Sequence, residues 1–233
     1  MIVYLNMQKI IVAIDGFAAT GKSTQAKRLA KALKYTYIDT GAMYRAVTHF
    51  ALQQAPKGKV NPTVLVTALD QIKIHFENTP KGQQTYLNNT NITKAIRQAE
   101  VTTHVSSIAK IPAVRSFLVQ QQQAMGEKKG IVMDGRDIGT VVFPAATCKF
   151  FLTASPEVRA KRRYIEQLEQ GNDQPYKDVL ASINTRDQSD STRKASPLTK
   201  AKDAIEIDVS NLSLDEVYEL LWGYISKSLA EKF

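Results

Sequence analysis

Apolar and polar residues occur in blocks that predict strands separated by helices. Residues 9–15 (KIIVAID) form a short apolar run, and residues 23–33 (STQAKRLAKAL) then place Ala and Leu at helical spacing. Further apolar runs at residues 130–134, 148–153 and 204–209 predict strands with helix-like stretches between them. This alternation predicts an α/β fold in which a parallel sheet is covered by helices on both faces.

Capping residues predict the boundaries of two helices. Ser155 and Pro156 fit an N-cap with proline at the first helical position, and Gly171 stands where that helix should stop. Ser213 and Glu216 fit a capping box that opens a C-terminal helix. The apolar stripe of this second helix should pack on the core through Val217, Leu220, Leu221, Tyr224 and Ile225.

The pattern changes between about residues 61 and 100. Ile72, Ile74 and Phe76 alternate as in a strand, and the turn-rich NTPKGQQ and then TYL follow. This segment therefore predicts a small inserted lobe that contains β-structure.

The length of 233 residues is compatible with a single domain that carries lobes. The inserted lobe would cover about residues 61–100, and a lid would cover about residues 159–175. The core would then comprise approximately residues 1–60, 100–158 and 195–233.

Composition predicts a soluble cytoplasmic protein. Hydrophobic residues make up 43% of the chain and charged residues 23%, as in ordinary globular proteins. No run approaches the ~18 apolar residues of a membrane helix, and the opening MIVYLNMQK lacks the basic-then-apolar design of a secretory signal. Either Met1 or Met7 could be the natural start, because the first strand needs nothing before Gln8.

Charge indicates an anionic partner. Lys and Arg outnumber Asp and Glu by 31 to 22, a formal net charge of +9. No block of five or six basic residues is present, which favours small phosphorylated ligands over nucleic acid. Cys148 lies in an apolar run typical of a buried thiol, and the three histidines are far apart, so no zinc site is expected.

A phosphate-binding motif lies between the first strand and the first helix. The letters GFAATGKS match G-x-x-x-x-G-K-[ST], in which backbone N–H groups and the helix N-terminus hold adjacent phosphates. Lys22 should bridge the β- and γ-phosphates of ATP, and Ser23 should bind Mg²⁺. A tight turn without a ligand is the alternative. The candidate ATP-binding residues here are Gly16, Phe17, Ala18, Ala19, Thr20, Gly21, Lys22, Ser23 and Thr24.

Three further segments narrow the class of P-loop protein. They read YIDTGAMYR (residues 37–45), DGRDIGT (residues 134–140) and RDQSDSTR (residues 186–193), and the N-K-x-D motif of GTPases is missing from the sequence. Together with the phosphate loop, these segments closely resemble the cytidylate kinase family from about Lys9 to near the C-terminus. The insert resembles the nucleotide-binding insert of the long bacterial form of that family.

The resemblance implies roles for individual residues. Arg45, Arg136 and Arg193 would bind the acceptor phosphate, with Thr40 beside them. Ser106, Arg115 and Asp137 would read the cytosine edge, whereas Arg186 and Asp190 would contact the ribose. Asp134 would order Mg²⁺ directly or through water. The remaining residues assigned to the acceptor site are Asp39, Arg97 and Gly135.

Spacing supports two of these groups. Arg186, Asp190 and Arg193 would share one face if their segment is helical. Arg159, Arg162 and Arg163 cluster on one helical face, where the resemblance implies an ATP-covering lid, and a solvated surface face is the alternative. A purely structural ion-pair role also remains open for Arg45, Arg136 and Asp137. The residues expected to contribute directly to catalysis are Lys22, Arg136, Arg186 and Arg193.

The resemblance implies a monomeric enzyme that uses ATP and Mg²⁺ to phosphorylate CMP and dCMP. Phosphoryl transfer demands positioning and charge neutralisation, and the acceptor phosphate is already ionised, so no general base is expected. One alternative is another small-molecule kinase that acts on UMP, AMP or dTMP. A second is an RNA-binding factor that uses ATP as a switch, which the net positive charge permits.

Overall fold

The computed structural model describes residues 9–55, 59–80, 82–169 and 171–231. The chain divides into two compact units. The first comprises residues 1–38 and 125–233, and the second comprises residues 39–124. The two candidate starts, Met1 and Met7, lie outside the described residues.

The described residues form eight strands and eight α-helices. The strands are β1 (Ile11–Gly16), β2 (Thr36–Asp39), β3 (Ile74–Thr79), β4 (Gly82–Leu87), β5 (Thr90–Asn91), β6 (Ile131–Gly135), β7 (Cys148–Thr153) and β8 (Ile205–Asp208). The helices are α1 (Lys22–Leu33), α2 (Thr40–Gln53), α3 (Pro62–Thr67), α4 (Ala99–Ile108), α5 (Pro112–Gly126), α6 (Pro156–Glu169), α7 (Tyr176–Thr192) and α8 (Leu214–Ala230). None of these helices is long and apolar enough to cross a membrane.

A five-stranded sheet in the order β2-β6-β1-β7-β8 organises the first unit. β1 pairs in parallel with β6 and β7, and β7 pairs in parallel with β8. The predicted α/β architecture is confirmed, and the four strands expected from apolar runs are β1, β6, β7 and β8. β2 was not predicted, because its four residues (TYID) are too few to show a periodicity.

The core of the first unit explains why β1 reads as a continuous apolar run. Val12, Ala13 and Ile14 are all fully buried, so successive side chains on both faces of the strand are covered. The main cluster around them combines α1, α8 and β7, including Leu29 and Phe150. Burying an aliphatic side chain of this size contributes roughly 1.5–3 kcal/mol.

The C-terminal helix begins as predicted but packs differently. Ser213 Oγ accepts the N–H of Glu216 at 3.2 Å, and Glu216 Oε2 accepts the N–H of Ser213 at 2.8 Å, which completes the capping box. The buried stripe of α8 follows i, i+4 steps through Val217, Leu221, Ile225 and Leu229. The prediction that Leu220 and Tyr224 join this stripe was wrong: both are 43% exposed, because they lie to one side of it.

The second unit contains the predicted β-lobe. β3 and β4 pair antiparallel, with Ile74 opposite Leu87, and the short β5 pairs with β4. Ile72 is buried but precedes the strand, so the alternation seen in the sequence begins before the ladder. The segment 61–100 lies within this unit, and its role as a nucleotide-binding insert remains a prediction.

Candidate active site

The phosphate loop adopts a path that glycine makes possible. β1 ends at Gly16 and α1 begins at Lys22, which confirms the predicted strand, loop and helix. Gly16 has φ +142°, and a Cβ there would lie 2.1 Å from the carbonyl oxygen of Leu152. Gly21 has φ +84°, in the left-handed region. These two positions therefore allow the backbone N–H groups to turn toward a ligand.

Lys22 lies inside this loop. Its side chain is buried, and Nζ donates to the carbonyl oxygen of Phe17 and to Thr20 Oγ1. Burial lowers the pKa of Lys22 well below its ordinary value, the Arg136 and Arg186 charges lower it further, and Asp134 and Asp15 oppose them. An anionic ligand beside Lys22 would therefore strongly stabilise its charged ammonium group.

Asp134 at the end of β6 meets the first helix. Its Oδ2 accepts a hydrogen bond from Ser23 Oγ at 2.8 Å, and its Oδ1 accepts one from the phenolic Oη of Tyr37, also at 2.8 Å. Strands β2 and β6 are neighbours in the sheet, which explains why Tyr37 reaches this carboxylate. The site role of Tyr37 was missed from the sequence, because it depends on that adjacency.

Asp190 gathers the arginines predicted for the acceptor side. Its carboxylate lies 3.0 Å from Arg136 Nε, 3.5 Å from Arg193 Nη1 and 3.9 Å from Arg186 Nε. Burial favours a higher pKa for Asp190, but the charges of Arg136, Arg186 and Arg193 outweigh it and lower the pKa. Because α7 runs to Thr192, the predicted helical spacing of this group is confirmed as far as Asp190.

Arg193 connects this group to Asp137. Its Nη2 lies 3.8 Å from Asp137 Oδ1, and its Nε donates to the carbonyl oxygen of Ser196 at 2.7 Å. Asp137 is 4% exposed and follows Gly135, the last residue of β6, by two positions. The first unit therefore brings together Gly135, Arg136, Asp137, Arg186, Asp190 and Arg193.

Asp15 is a buried carboxylate that the sequence reasoning treated only as the end of a strand. Its oxygens accept the backbone N–H groups of Ile138 at 2.8 Å and Gly139 at 2.7 Å. Burial raises the pKa of Asp15 to about 6 despite these two bonds, with Asp137 raising it and Lys22 lowering it. The sequence feature that could have identified Asp15 is its position, since it immediately precedes Gly16 at the start of the phosphate loop.

The raised pKa predicts a pH dependence of stability with a definite sign. The folded state holds the Asp15 proton more tightly than the unfolded chain, so this group's contribution to the unfolding free energy falls as pH rises from about 4 to about 6. The unfolding free energy of the wild type minus that of Asp15→Asn should decrease by about 1.5 kcal/mol between pH about 5 and about 7.5. Urea unfolding of both proteins at the two pH values measures this difference in unfolding free energy. A difference that increases with pH would contradict the prediction.

The three arginines predicted to belong to a lid have different surroundings. Arg159 is 2% exposed, which excludes a solvated face for it. Its Nη2 lies 2.7 Å from Asp187 Oδ2, and its guanidinium carbon lies 5.0 Å from the centre of the Phe17 ring. Arg162 donates to the carbonyl oxygen of Val209 at 2.7 Å. Arg163 forms an exposed ion pair with Glu166 at 2.9 Å.

A cavity of about 260 Å³ lies beside the phosphate loop. Its wall combines the end of the loop and the start of α1 with Arg162 and the segment that leads into α8. Sequence reasoning missed this cavity, because its residues come from distant parts of the chain. The lining residues are Thr20, Gly21, Gln25, Arg162, Val209, Leu212, Ser213, Leu214 and Val217.

In the second unit, Asp39 and Arg45 form a half-buried pair at the start of α2. Arg45 Nη2 lies 3.0 Å from Asp39 Oδ2, while Asp39 Oδ1 accepts the N–H of Ala42 at 2.9 Å as the N-cap. Burial favours a higher pKa for Asp39, but Arg45, the Ala42 amide and Arg97 lower it. A Cβ at Gly41 would lie 2.9 Å from Arg45 Nη1, so glycine leaves room for the pair.

Arg97 ends a short 3-10 helix (Ala95–Arg97), and three more predicted residues of the second unit lie on α-helices. Thr40 is buried at the first position of α2. Ser106 is half-buried on α4. Arg115 is buried on α5, where Nη1 donates to the carbonyl oxygen of Ala109 at 3.1 Å and the guanidinium lies 5.2 Å from the Tyr44 ring centre. The role of Ser106 and Arg115 in reading a base remains a prediction.

Comparison with known proteins identifies the family. The family model described as cytidylate kinase matches residues 12–227. A cytidylate kinase of Flavobacterium psychrophilum is 50% identical over 94% of this chain and 99% of its own length. One of Phocaeicola vulgatus is 49% identical over 97% of both chains. An uncharacterised protein of Eubacterium ventriosum, 13% identical over 94% of this chain and 99% of its own, has a TM-score of 0.52, which shows the fold alone. The chain therefore belongs to the cytidylate kinase family and is a phosphotransferase of the nucleoside monophosphate kinase class.

Proposed function

We propose that this protein transfers the γ-phosphate of ATP to CMP and dCMP, forming ADP with CDP or dCDP. The observation that carries the proposal is the charge arrangement in the first unit. Lys22 lies in the phosphate loop, and the Arg136 and Arg186 charges are close enough to lower its pKa. Cations from three motifs thus converge, as transfer between two anionic nucleotides requires.

The donor side is assigned to the phosphate loop and to the arginines of α6. Backbone N–H groups of the loop and Lys22 would hold the phosphates of ATP. Nη1 of the buried Arg159 has no acceptor among the residues that the structure describes, so it could donate to a phosphate oxygen. The cavity beside the loop would accept the base of ATP, with Arg162 in its wall.

The residues around Asp134 fit Mg²⁺ brought in with ATP. Ser23 Oγ and Asp134 Oδ2 offer a hydroxyl and a carboxylate 2.8 Å apart, and Mg²⁺ typically takes few protein ligands and fills its remaining positions with water and phosphate oxygens. Over the described residues no cluster of three or more His, Cys, Asp or Glu could hold a metal alone. Bound in this way, Mg²⁺ would neutralise phosphate charge, and Tyr37 would hold the Asp134 carboxylate in place.

The acceptor side is assigned to arginines. Arg136 and Arg193 would bind the acceptor phosphate and neutralise charge as the phosphoryl group is transferred. The carboxylate of Asp190 holds Arg136 at 3.0 Å, so that guanidinium is oriented before a ligand arrives. No side chain needs to remove a proton, since the attacking phosphate oxygen is already ionised.

Initial rates with a panel of acceptors test the proposal. With ATP and Mg²⁺ held constant, CMP and dCMP should support much faster ADP release than UMP, AMP or dTMP. A higher rate with one of the latter would instead favour another small-molecule kinase. An ATP turnover independent of any monophosphate, together with salt-sensitive RNA binding, would favour the RNA-binding alternative.

Asp137→Ala should weaken the preference for CMP. Asp137 is buried beside Arg193, and the family resemblance assigns it to the cytosine edge. Loss of a polar group that pairs with the base should reduce discrimination between CMP and UMP by about tenfold or more. The ratio of kcat/KM values for the two acceptors measures the effect, and an unchanged ratio would remove Asp137 from this role.

A further inference from the structure

Asp15 holds the start of a turn that immediately follows Arg136 and Asp137. A single π-helical turn spans Ile138–Val142. The first of its N–H groups to donate to a backbone carbonyl at the turn is that of Val141, which bonds to the carbonyl oxygen of Asp137. The amides of Ile138 and Gly139 therefore need other acceptors. Asp15 Oδ1 and Oδ2 each take one of them, at 2.8 and 2.7 Å.

The turn also has a support on its other side. A Cβ at Gly139 would lie 3.2 Å from Lys149 Cδ and 3.4 Å from Asp15 Oδ2. Lys149 itself is buried, and its Nζ donates to the carbonyl oxygen of Pro144 and lies 2.8 Å from Asp203 Oδ2. Gly139 is thus enclosed between Asp15 and Lys149, which leaves the turn little freedom to shift.

The direction of the peptide after Asp137 decides where the two preceding side chains point. Arg136 Nε lies 3.0 Å from Asp190, and Asp137 Oδ1 lies 3.8 Å from Arg193. A movement of about 1 Å in groups of this kind can reduce catalysis about a hundredfold. The two amides held by Asp15 therefore control the geometry of the acceptor-side cluster.

We infer that Asp15 is a positioning residue for the acceptor side of the reaction, because it fixes the segment that carries Arg136 and Asp137 to the strand that ends in the phosphate loop. This inference rests on the proposed function, which assigns Arg136 to the acceptor phosphate. Burying a carboxylate is costly, and at Asp15 the two amide bonds do not fully offset that cost. A buried carboxylate at such a position fits a role in activity better than one in stability.

Asp15→Asn is the direct test. Asparagine keeps the shape, but it replaces one of the two carboxylate oxygens with an NH₂ group, so one of the two amides that Oδ1 and Oδ2 accept separately would face a donor. We expect kcat/KM for CMP to fall at least about tenfold, with the KM for ATP changed less than about twofold. Asp208→Asn is the matched control: Asp208 Oδ1 also accepts a backbone amide, that of Ser210 at 2.8 Å, but at an exposed position at the end of β8. It should leave both kinetic constants unchanged.

Gly139→Ala provides a second variant that does not alter Asp15. If Asp15→Asn fails to fold, this variant tests the positioning role of the turn in its place. Its new methyl group would lie 3.2 Å from Lys149 Cδ, which is tight, and would touch Asp15 Oδ2 at 3.4 Å, so the turn must shift slightly and the same selective loss with CMP is expected. Wild-type constants for CMP, or a KM for ATP that rises as much as that for CMP, would overturn the inference. A wild-type enzyme inactive toward CMP would contradict the proposed function, whereas an active wild type with unaffected variants contradicts only the role of Asp15.

Discussion

Lys22→Ala should reduce kcat with ATP and CMP on the order of a thousandfold while the protein stays folded. The substitution removes the ammonium group that donates hydrogen bonds to the carbonyl oxygen of Phe17 and to the hydroxyl of Thr20 within the phosphate loop. Its burial lowers the pKa of the ammonium, so the charge is unfavourable in the folded chain unless an anion compensates it. Removing it should therefore cost little stability and much activity.

Steady-state kinetics and thermal unfolding of the same preparation separate the two effects. Lys31→Ala is a suitable control, because Lys31 is an exposed residue in the last turn of the same helix, α1. Its kcat should equal that of the wild type. A Lys22→Ala enzyme with near-normal turnover would contradict the assignment of the loop, and one that is simply unfolded would show a structural role instead.

Arg136→Ala should reduce kcat/KM for CMP by about a hundredfold to a thousandfold. The guanidinium donates to Asp190 at 3.0 Å and to the carbonyl oxygen of Gly135 at 3.1 Å, which holds it rigidly. Its loss removes both a cation for the acceptor phosphate and the largest charge that lowers the pKa of Asp190. The KM for ATP should change far less than the KM for CMP.

Separate titrations of each substrate against a saturating level of the other measure this difference. Lys200→Ala provides the control, since it breaks an ion pair with Glu206 at 3.0 Å in which both side chains are more than two-fifths exposed. Exposed pairs of this kind contribute about 0–1 kcal/mol, and the kinetic constants should be those of the wild type. Equal losses with ATP and CMP in Arg136→Ala would argue against an acceptor role.

The phosphate loop could be predicted because its chemistry is contiguous in the sequence. Its glycines, Lys22 and Ser23 lie within eight residues between a strand and a helix, and the structure places them there. Helical spacing also predicted that Arg186 and Asp190 would share one face, and Arg186 Nε lies 3.9 Å from the Asp190 carboxylate. Local patterns suffice where the residues involved are local.

The contributions of Asp15 and Tyr37 could not be predicted in this way. Asp15 acts on amides more than 120 residues further along the chain, and Tyr37 bonds to Asp134 from a neighbouring strand. Only the order of strands in the sheet brings these groups together. The burial of Arg159 was likewise open in the sequence, because a basic helix face reads as solvated unless a partner such as Asp187 is known.

Transfer of labelled phosphate tests the central claim most directly. When ATP labelled in its γ-phosphate is incubated with Mg²⁺, CMP and the wild-type protein, the label should appear in CDP at the rate at which ADP forms. Lys22→Ala should abolish nearly all of this transfer. Label released as inorganic phosphate with no labelled CDP would contradict the account.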